Sequence, residues 1–139
     1  MPHMPVLKRS LEIDAPPNEV WRVITTPELV REWAAAYLDG ISIRTSWRQG
    51  ETLTWRAPDG STQAVGAISA IEPERLLKID YVDAGGAFPE SFEIVAKEDR
   101  TWLNVSTGQL DGEDLRAAEE AIREIKSLAE ESAQIHGLR

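Results

Sequence analysis

The feature that most constrains this chain is a change in the spacing of its apolar residues. Between Ile41 and Leu110 the apolar positions recur mostly at every second residue, which is typical of strands with one buried face. From Leu115 to Ala129 they recur at intervals of three and four residues, which is typical of an amphipathic helix. An antiparallel sheet needs one covered face, and this helix is the only predicted element long enough to cover it.

Turn-forming residues divide the alternating region into six short segments. Glycine, proline and acidic residues supply the breaks, as at Gln49-Gly50 and Glu72-Pro73-Glu74. Connections this short favour antiparallel pairing of neighbouring strands. The candidate strands are Ile41–Thr45, Thr52–Ala57, Gln63–Ile71, Leu76–Tyr81, Phe88–Ala96 and Thr101–Leu110.

The residues before this region predict one further strand and two short helices. Val6–Asp14 alternates and is interpreted as a half-buried strand, which follows a loose tail at Met1–Pro5. Pro17 suits the first turn of a helix that runs to about Thr25. The run Thr26-Pro27-Glu28 predicts the start of a second helix, with Thr26 as its N-cap.

A long helix is predicted at the end of the chain. Asp111 is its expected N-cap, and Gly137 is its expected stop. A length of about 24 residues corresponds to about 36 Å, which spans a small domain. Its apolar stripe consists of Leu115, Ala118, Ile122, Ile125, Ala129 and Ser132, widened by Ala121, Leu128 and Ile135.

Composition limits the classes of function. The chain has no cysteine, which excludes disulfides, thiolate nucleophiles and cysteine-ligated metals. With 24 acidic and 15 basic side chains the net charge is −9, which disfavours nucleic acids and anionic membrane surfaces as partners. His3 and His136 have no partner at ligand spacing, so we expect neither a metal nor a cofactor. No apolar window approaches the length of a membrane span and no leader is recognisable, so we expect a cytoplasmic protein.

No arrangement of nucleophile and base is evident, and carboxylates are the only acid–base candidates. Ile79 and Tyr81 share one face of their strand, which leaves Asp80 on the other face. Phe92 opposes Glu93 in the same way. We therefore expect the acids on the convex, solvated face and predict no catalytic residue. These acids are Asp80, Asp83, Glu90 and Glu93.

A series of short motifs spans nearly the whole chain from Leu7. The motifs are Ile13-Asp14-Ala15-Pro16, Val20-Trp21, Ile24-Thr25, Thr26-Pro27-Glu28-Leu29, Trp33, Gly50, Gly66 with Ile68, Ile71-Glu72-Pro73, Glu74-Arg75-Leu76, Thr101 with Leu103, and Leu115–Ala129. With the order of elements they resemble the START-like (SRPBCC) helix-grip superfamily, which includes birch-pollen-allergen-like proteins. More narrowly they resemble the bacterial homologues of the activator of the ninety-kilodalton heat-shock-protein ATPase.

The resemblance implies a fold and a cavity. The fold is α+β, with a curved antiparallel sheet of about seven strands wrapped on the C-terminal helix and the two short helices as a lid; residues 6–139 would form a single domain. Members of the superfamily are small-molecule binders, polyketide cyclase-like proteins, resistance proteins that sequester toxic compounds, and co-chaperones. The chain departs from the pattern near the expected cavity mouth, at Gln49, Ala34 and Asp80-Tyr81, so no relative's ligand preference transfers.

Aromatic residues that can point inward are the best candidates for the cavity wall, because they combine apolar area with polar handles. Arg9 either lies at the open end of the first strand or adds a polar group to the concavity, where it would need an acid or a ligand anion opposite it. The predicted lining is Trp33, Tyr37, Leu53, Trp55, Ile68, Ile79, Tyr81, Phe92, Ile94, Leu103, Val105, Thr107, Ile122, Ile125 and Ala129.

We expect the protein to bind a small hydrophobic or aromatic molecule rather than to catalyse a reaction. One alternative is a polyketide cyclase-like enzyme, which needs an inward ionisable residue such as Asp80, Glu93 or Glu51. The other is a co-chaperone-like interaction protein. If Trp47 and Trp102 lie on the outer sheet face, an apolar patch there would allow a homodimer.

Overall fold

The computed structural model describes residues 6–83, 86–108 and 112–136, and within them the elements follow the predicted order. The predicted helix-grip architecture is confirmed: a seven-stranded sheet, two short helices after the first strand, and one long final helix. The elements are β1 Val6–Ile13, α1 Pro17–Thr25, α2 Pro27–Ala34, β2 Ser42–Arg44, β3 Thr52–Arg56, β4 Thr62–Glu72, β5 Leu76–Asp83, β6 Gly86–Lys97, β7 Arg100–Gly108 and α3 Gly112–Ile135. The tail Met1–Pro5, the expected cap Asp111 and the expected stop Gly137 lie outside the described residues.

The sheet is antiparallel throughout, and its strand order is β1-β7-β6-β5-β4-β3-β2. The first and last strands of the chain are therefore neighbours, with Leu11 opposite Leu103. The register shifts between Trp55 and Arg56 and again between Ile68 and Ala70. Bulges of this kind increase local twist and bend the strand, which helps the sheet to curve around α3.

Strand alternation and helix periodicity meet in one core. In β7, Thr101, Leu103, Val105 and Thr107 are buried, whereas the residues between them are half-buried. Small and branched residues of α3 pack against this face, and Ile125 and Ala129 are completely buried. Each fully buried aliphatic side chain stabilises such a core by about 1.5–3 kcal/mol.

The predicted stripe of α3 is wrong at one position. Ile135 is 72% exposed, although we expected it to widen the buried stripe. Ile135 follows Ile125 by ten residues. At about 100° per residue this is about 80° short of three full turns, so the Ile135 side chain points about 80° away from that of Ile125 at the centre of the stripe. The N-cap prediction for α2 is correct in position only, because the Thr26 side chain makes no capping hydrogen bond.

A buried carboxylate fastens α1 to the end of α3. Ser132 Oγ donates to Glu19 Oε1 at 2.8 Å, and His136 Nδ1 lies 2.8 Å from Glu19 Oε2. Arg22 Nε donates to the same Oε1 at 3.3 Å. Burial opposes ionisation, but the hydrogen bonds from His136, Ser132 and Arg22 hold the pKa of Glu19 below its usual value. Since Glu19 has these partners, we assign it to the stability of the helix pair.

Two points left open by the sequence are decided by the structure. Arg9 is exposed and its guanidinium pairs with Glu119 on α3, so Arg9 does not enter the concavity. Trp47 lies in the loop before β3 and packs partly against the core, so it does not share a strand face with the half-buried Trp102. Among the described helices, none has both the length and the hydrophobicity needed to cross a bilayer.

Candidate functional site: a cavity between the sheet and the long helix

A cavity of about 320 Å³ lies between the sheet and α3, and the end of α2 borders it. Residues from α2, from the segment after it, from β3 to β7 and from α3 contribute to the wall. Of the two short helices that we expected to form a lid, only α2 contributes to this wall. The lining consists of Trp33, Ala34, Tyr37, Leu38, Ile41, Trp55, Gln63, Ala64, Tyr81, Phe88, Glu90, Phe92, Val105, Thr107, Asp114, Ala118, Ala121, Ile122 and Ile125.

Trp33 is the centre of the aromatic wall. Its indole Nε1 donates to the carbonyl oxygen of Val23 at 3.0 Å, which fixes the ring orientation. The ring centroid lies 6.1 Å from that of Trp55 in a T-shaped arrangement and 6.2 Å from that of Phe92. Edge-to-face contacts at such distances are favourable for aromatic quadrupoles, so three elements hold one another in place here.

A chain of hydrogen bonds crosses the apolar wall. Trp55 Nε1 donates to Tyr81 Oη at 2.8 Å, and Tyr81 Oη donates to Glu90 Oε1 at 3.5 Å. The side chain of Thr107, directly opposite Glu90 in the β6–β7 register, hydrogen-bonds to the same carboxyl group. The arrangement brings a carboxyl group into a wall that is mainly apolar.

The electrostatic setting of Glu90 is unusual for a carboxylic acid. Burial raises the pKa of Glu90 to about 7, against the opposing effect of the hydrogen bonds from Thr107 and Tyr81. Burial, together with the nearby Glu90, also raises the pKa of Tyr81, so its phenol keeps its proton and can donate it. Near neutral pH, Glu90 is therefore able to accept or to release a proton.

The inward position of Glu90 corrects our expectation that all four acids lie on the outer face. Glu90 is two residues from Phe92 and four from Ile94, so strand alternation gives all three the same face. Asp80 and Glu93 are exposed, as expected, whereas the side chain of Asp83 lies outside the described part. The signal for Glu90 was therefore present in the sequence, and grouping it with the other acids concealed it.

The mouth of the cavity is more polar than its interior. Tyr37 is 41% exposed there, and desolvation of its hydroxyl together with the charges of Glu90 and Asp114 raises the pKa of Tyr37. Gln63 of β4 adds an amide to the same rim. Within the described residues, no three histidine, aspartate or glutamate side chains come together as a metal site requires.

Nine of the fifteen residues that we expected to line the cavity do so, including Trp33, Trp55, Tyr81, Phe92 and Thr107. The other six, five on strands and one on α3, are buried in the same core but do not border the open space. Alternation identifies the face of a residue, but it does not indicate how far along the strand the packing is complete. These six residues are Leu53, Ile68, Ile79, Ile94, Leu103 and Ala129.

Some lining residues were missed for identifiable reasons. Phe88 and Glu90 share the parity of Phe92, and Ala118 and Ala121 belong to the predicted helix stripe, so their orientation was readable. By contrast, Leu38 follows α2 in an irregular segment that has no periodicity to interpret. Ile41, which we expected to begin a strand, lies directly before β2. The residues missed are Ala34, Leu38, Ile41, Gln63, Ala64, Phe88, Glu90, Asp114, Ala118 and Ala121.

Solved structures share this fold at low sequence identity. Protein MLL2253 from Mesorhizobium loti superposes with a TM-score of 0.70 and 17% identity, over 92% of this chain and 98% of that chain. CalU16 from Micromonospora echinospora gives a TM-score of 0.63 and 20% identity, over 95% of this chain and 85% of that chain. DynU16, a protein of the dynemicin biosynthetic locus, gives a TM-score of 0.66 and 15% identity, over 93% of this chain and 47% of that chain. At such identities the similarity shows the fold alone.

Sequence comparison is more specific about the family. None of the curated proteins matches this chain. The family model described as Activator of Hsp90 ATPase homolog 1-like protein matches residues 14–132, from the turn after β1 nearly to the end of α3. The match extends over most of the chain and includes, apart from Ile13, the motifs that suggested the resemblance. The chain therefore belongs to the family of Activator of Hsp90 ATPase homolog 1-like proteins.

Proposed function

We propose that this protein binds a small hydrophobic or aromatic molecule in the cavity between the sheet and α3, in the cytoplasm. The observation that carries the proposal is a cavity of about 320 Å³ whose wall is mainly aromatic and aliphatic. Small-molecule pockets typically have volumes of about 300–1,000 Å³, apolar walls and a few convergent polar groups. This cavity is at the small end of that range, so it suits a compact ligand.

Two features of the wall support a binding role. The rings of Trp33 and Phe92 border the cavity, where they offer apolar area to an aromatic ligand. Trp55, Tyr81 and Glu90 form the polar strip that would orient a ligand by hydrogen bonds. The fold relative DynU16 belongs to a biosynthetic locus for a small molecule, which is consistent with a small-molecule role.

The test is a screen of compact hydrophobic compounds by tryptophan fluorescence and thermal unfolding. Trp33 and Trp55 border the cavity, so a bound compound should change their emission. A ligand at one hundred times its dissociation constant should stabilise the fold by about 2.7 kcal/mol. The variant Ala64→Phe, which fills the cavity from β4, should lose saturable binding. The matched control Ala67→Phe, on the exposed face of the same strand, should retain it.

The outcomes separate the alternatives. If no compound binds saturably, or if Ala64→Phe binds as well as the unaltered chain, the cavity proposal is wrong. A co-chaperone-like interaction role, which needs no open cavity, would then become the leading hypothesis.

Glu90 favours a second candidate, a polyketide cyclase-like enzyme. Such an enzyme requires an ionisable group within its cavity, and burial raises the pKa of Glu90 to about 7, close to the optimum for proton transfer in the cytoplasm. Compounds that bind and carry an enolisable carbonyl group should be incubated with the protein and analysed for products by mass spectrometry. In Glu90→Gln the turnover should fall by about 10²–10⁴-fold, whereas Glu93→Gln on the outer face should retain it. Equal turnover in Glu90→Gln would exclude this role for Glu90.

A further inference from the structure

The charges around the cavity have one sign. Glu90 and Asp114 are the two charged residues in the described lining, and the lining contains no lysine or arginine. The remaining polar groups, from Thr107, Tyr81 and Gln63, are uncharged. A ligand that carries a carboxylate or phosphate would therefore find no cationic partner in this wall.

Glu90 lacks a cationic partner in the described part of the chain. Its carboxyl group receives hydrogen bonds from the neutral hydroxyls of Tyr81 and Thr107. The described ion pairs involve other acids, such as Glu119 with Arg9 and Glu130 with Lys126. A carboxylate withdrawn from water is costly unless a positive charge lies nearby. The fold thus leaves a negative group in the cavity wall that a cation can stabilise.

The aromatic rings add a second attraction for a positive charge. Trp33, Trp55 and Phe92 form one group of rings, and Tyr81 stacks on Phe88 with a centroid distance of 5.3 Å beside Glu90. The faces of such rings carry partial negative charge and attract ammonium groups within about 6 Å. Aromatic faces and a carboxyl group around one space constitute a typical environment for an organic cation.

We propose, on the basis of the binding function proposed above, that the cavity selects a compact aromatic ligand that bears a protonated amine. The ammonium group would lie beside Glu90, with its remaining hydrogens towards Thr107 or the rim at Asp114. The ring of the ligand would pack on Trp33 and Phe92. The proposal accounts for the inward acid and for the absence of basic residues from the described wall.

The test uses three ligands that share one ring and differ in charge: 2-naphthylmethylamine, 2-naphthylmethanol and 2-naphthoate. Their dissociation constants are measured by calorimetry on the full chain at low salt. The amine should bind at least about tenfold more tightly than the alcohol, because a charged hydrogen bond and a cation–π contact are both gained. The naphthoate should bind more weakly than the alcohol, because the wall repels it.

Two variants test whether Glu90 is responsible. In Glu90→Gln the ratio of amine to alcohol affinity should fall to within about threefold, since the charge has been removed. The control Glu93→Gln removes an exposed acid of the same strand, and it should leave the ratio unchanged.

The pH dependence provides an independent readout. The other titratable groups that line the cavity with Glu90 are Tyr81 from β5, Tyr37 after α2 and Asp114 from α3. Both tyrosines keep their protons because their pKa values are raised, so Glu90 itself changes charge as pH passes about 7. From about pH 5.5 to about pH 8.5 the affinity for the amine should rise severalfold, whereas that for the alcohol should not.

The outcomes distinguish this inference from the binding function itself. If the alcohol or the naphthoate binds as tightly as the amine, the cavity binds small molecules but the inference about charge is wrong. The inference about charge is also wrong if Glu90→Gln leaves the ratio of amine to alcohol affinity unchanged, or if the affinity for the amine does not vary with pH. If none of the three compounds binds, both the inference and the cavity proposal for aromatic ligands of this size are wrong.

Discussion

Replacing Trp33 by alanine is expected to lower the free energy of unfolding by about 3–5 kcal/mol, the range for truncation of large buried aromatic residues. The side chain is 5% exposed and contacts the rings of Trp55 and Phe92. Its removal would also enlarge the existing cavity, whose wall cannot fully collapse because β3 and β6 are held in the sheet. Urea-induced unfolding followed by circular dichroism measures the loss.

The variant Trp33→Phe separates packing from hydrogen bonding at this position. It retains a ring but loses the indole N–H that donates to the Val23 carbonyl oxygen, so a smaller loss of about 1–2 kcal/mol is expected. A loss below about 1.5 kcal/mol for Trp33→Ala itself would show that the cavity wall rearranges freely, and it would weaken the view that Trp33 organises the site.

Replacing Gly66 by alanine is expected to destabilise the fold by an amount near the upper end of about 1–3 kcal/mol. A methyl group on Gly66 would lie 2.9 Å from Ile79 Cγ2, 3.0 Å from Tyr81 Cδ1 and 3.0 Å from the carbonyl oxygen of Asp80. The oxygen belongs to the paired β5 strand, so it cannot move without disturbing the ladder. Thermal and urea unfolding quantify the effect.

The same substitution should also disturb the cavity, because the ring of Tyr81 must move to accommodate the methyl group. The hydroxyl of Tyr81 connects Trp55 and Glu90 by hydrogen bonds. The emission of Trp55 and the affinity for any ligand should therefore change together. The control Ala67→Val adds atoms on the exposed face of the next residue and should alter stability by no more than about 0.5 kcal/mol. Equal stability of Gly66→Ala and the unaltered chain would show that β4 and β5 can separate slightly at this point.

Local patterns predicted the elements well because each pattern has a local cause. Period-two alternation located all seven strands to within two residues at the described ends, and Pro17 and Pro27 marked the first turns of α1 and α2. The alternation reflects which side chains face a covered surface, and the prolines reflect a backbone angle suited to a helix start. Neither inference needs knowledge of a distant residue.

The errors have a different origin. The prediction that Ile135 is buried was wrong because the apolar stripe was extended too far along α3, to a position that the helix turns away from the core. The partner of Arg9 was not predicted, because Glu119 is more than a hundred residues away in the sequence. Pairings at this separation depend on how β1 and α3 come together, which no local pattern specifies.

The sequence by itself determined the secondary structure, the antiparallel sheet with its covering helix, the family, and the inward direction of most of the strand and helix residues in the cavity wall. Even Glu90 follows from strand parity with Phe92. Only the tertiary structure decided that space remains among these side chains, and that Trp55, Tyr81 and Thr107 surround Glu90. The volume of a cavity is a small difference between the space enclosed by several elements and the side chains that fill it. The raised pKa of Glu90 likewise depends on the exclusion of water, and both properties arise only when β3 to β7, α2 and α3 are assembled.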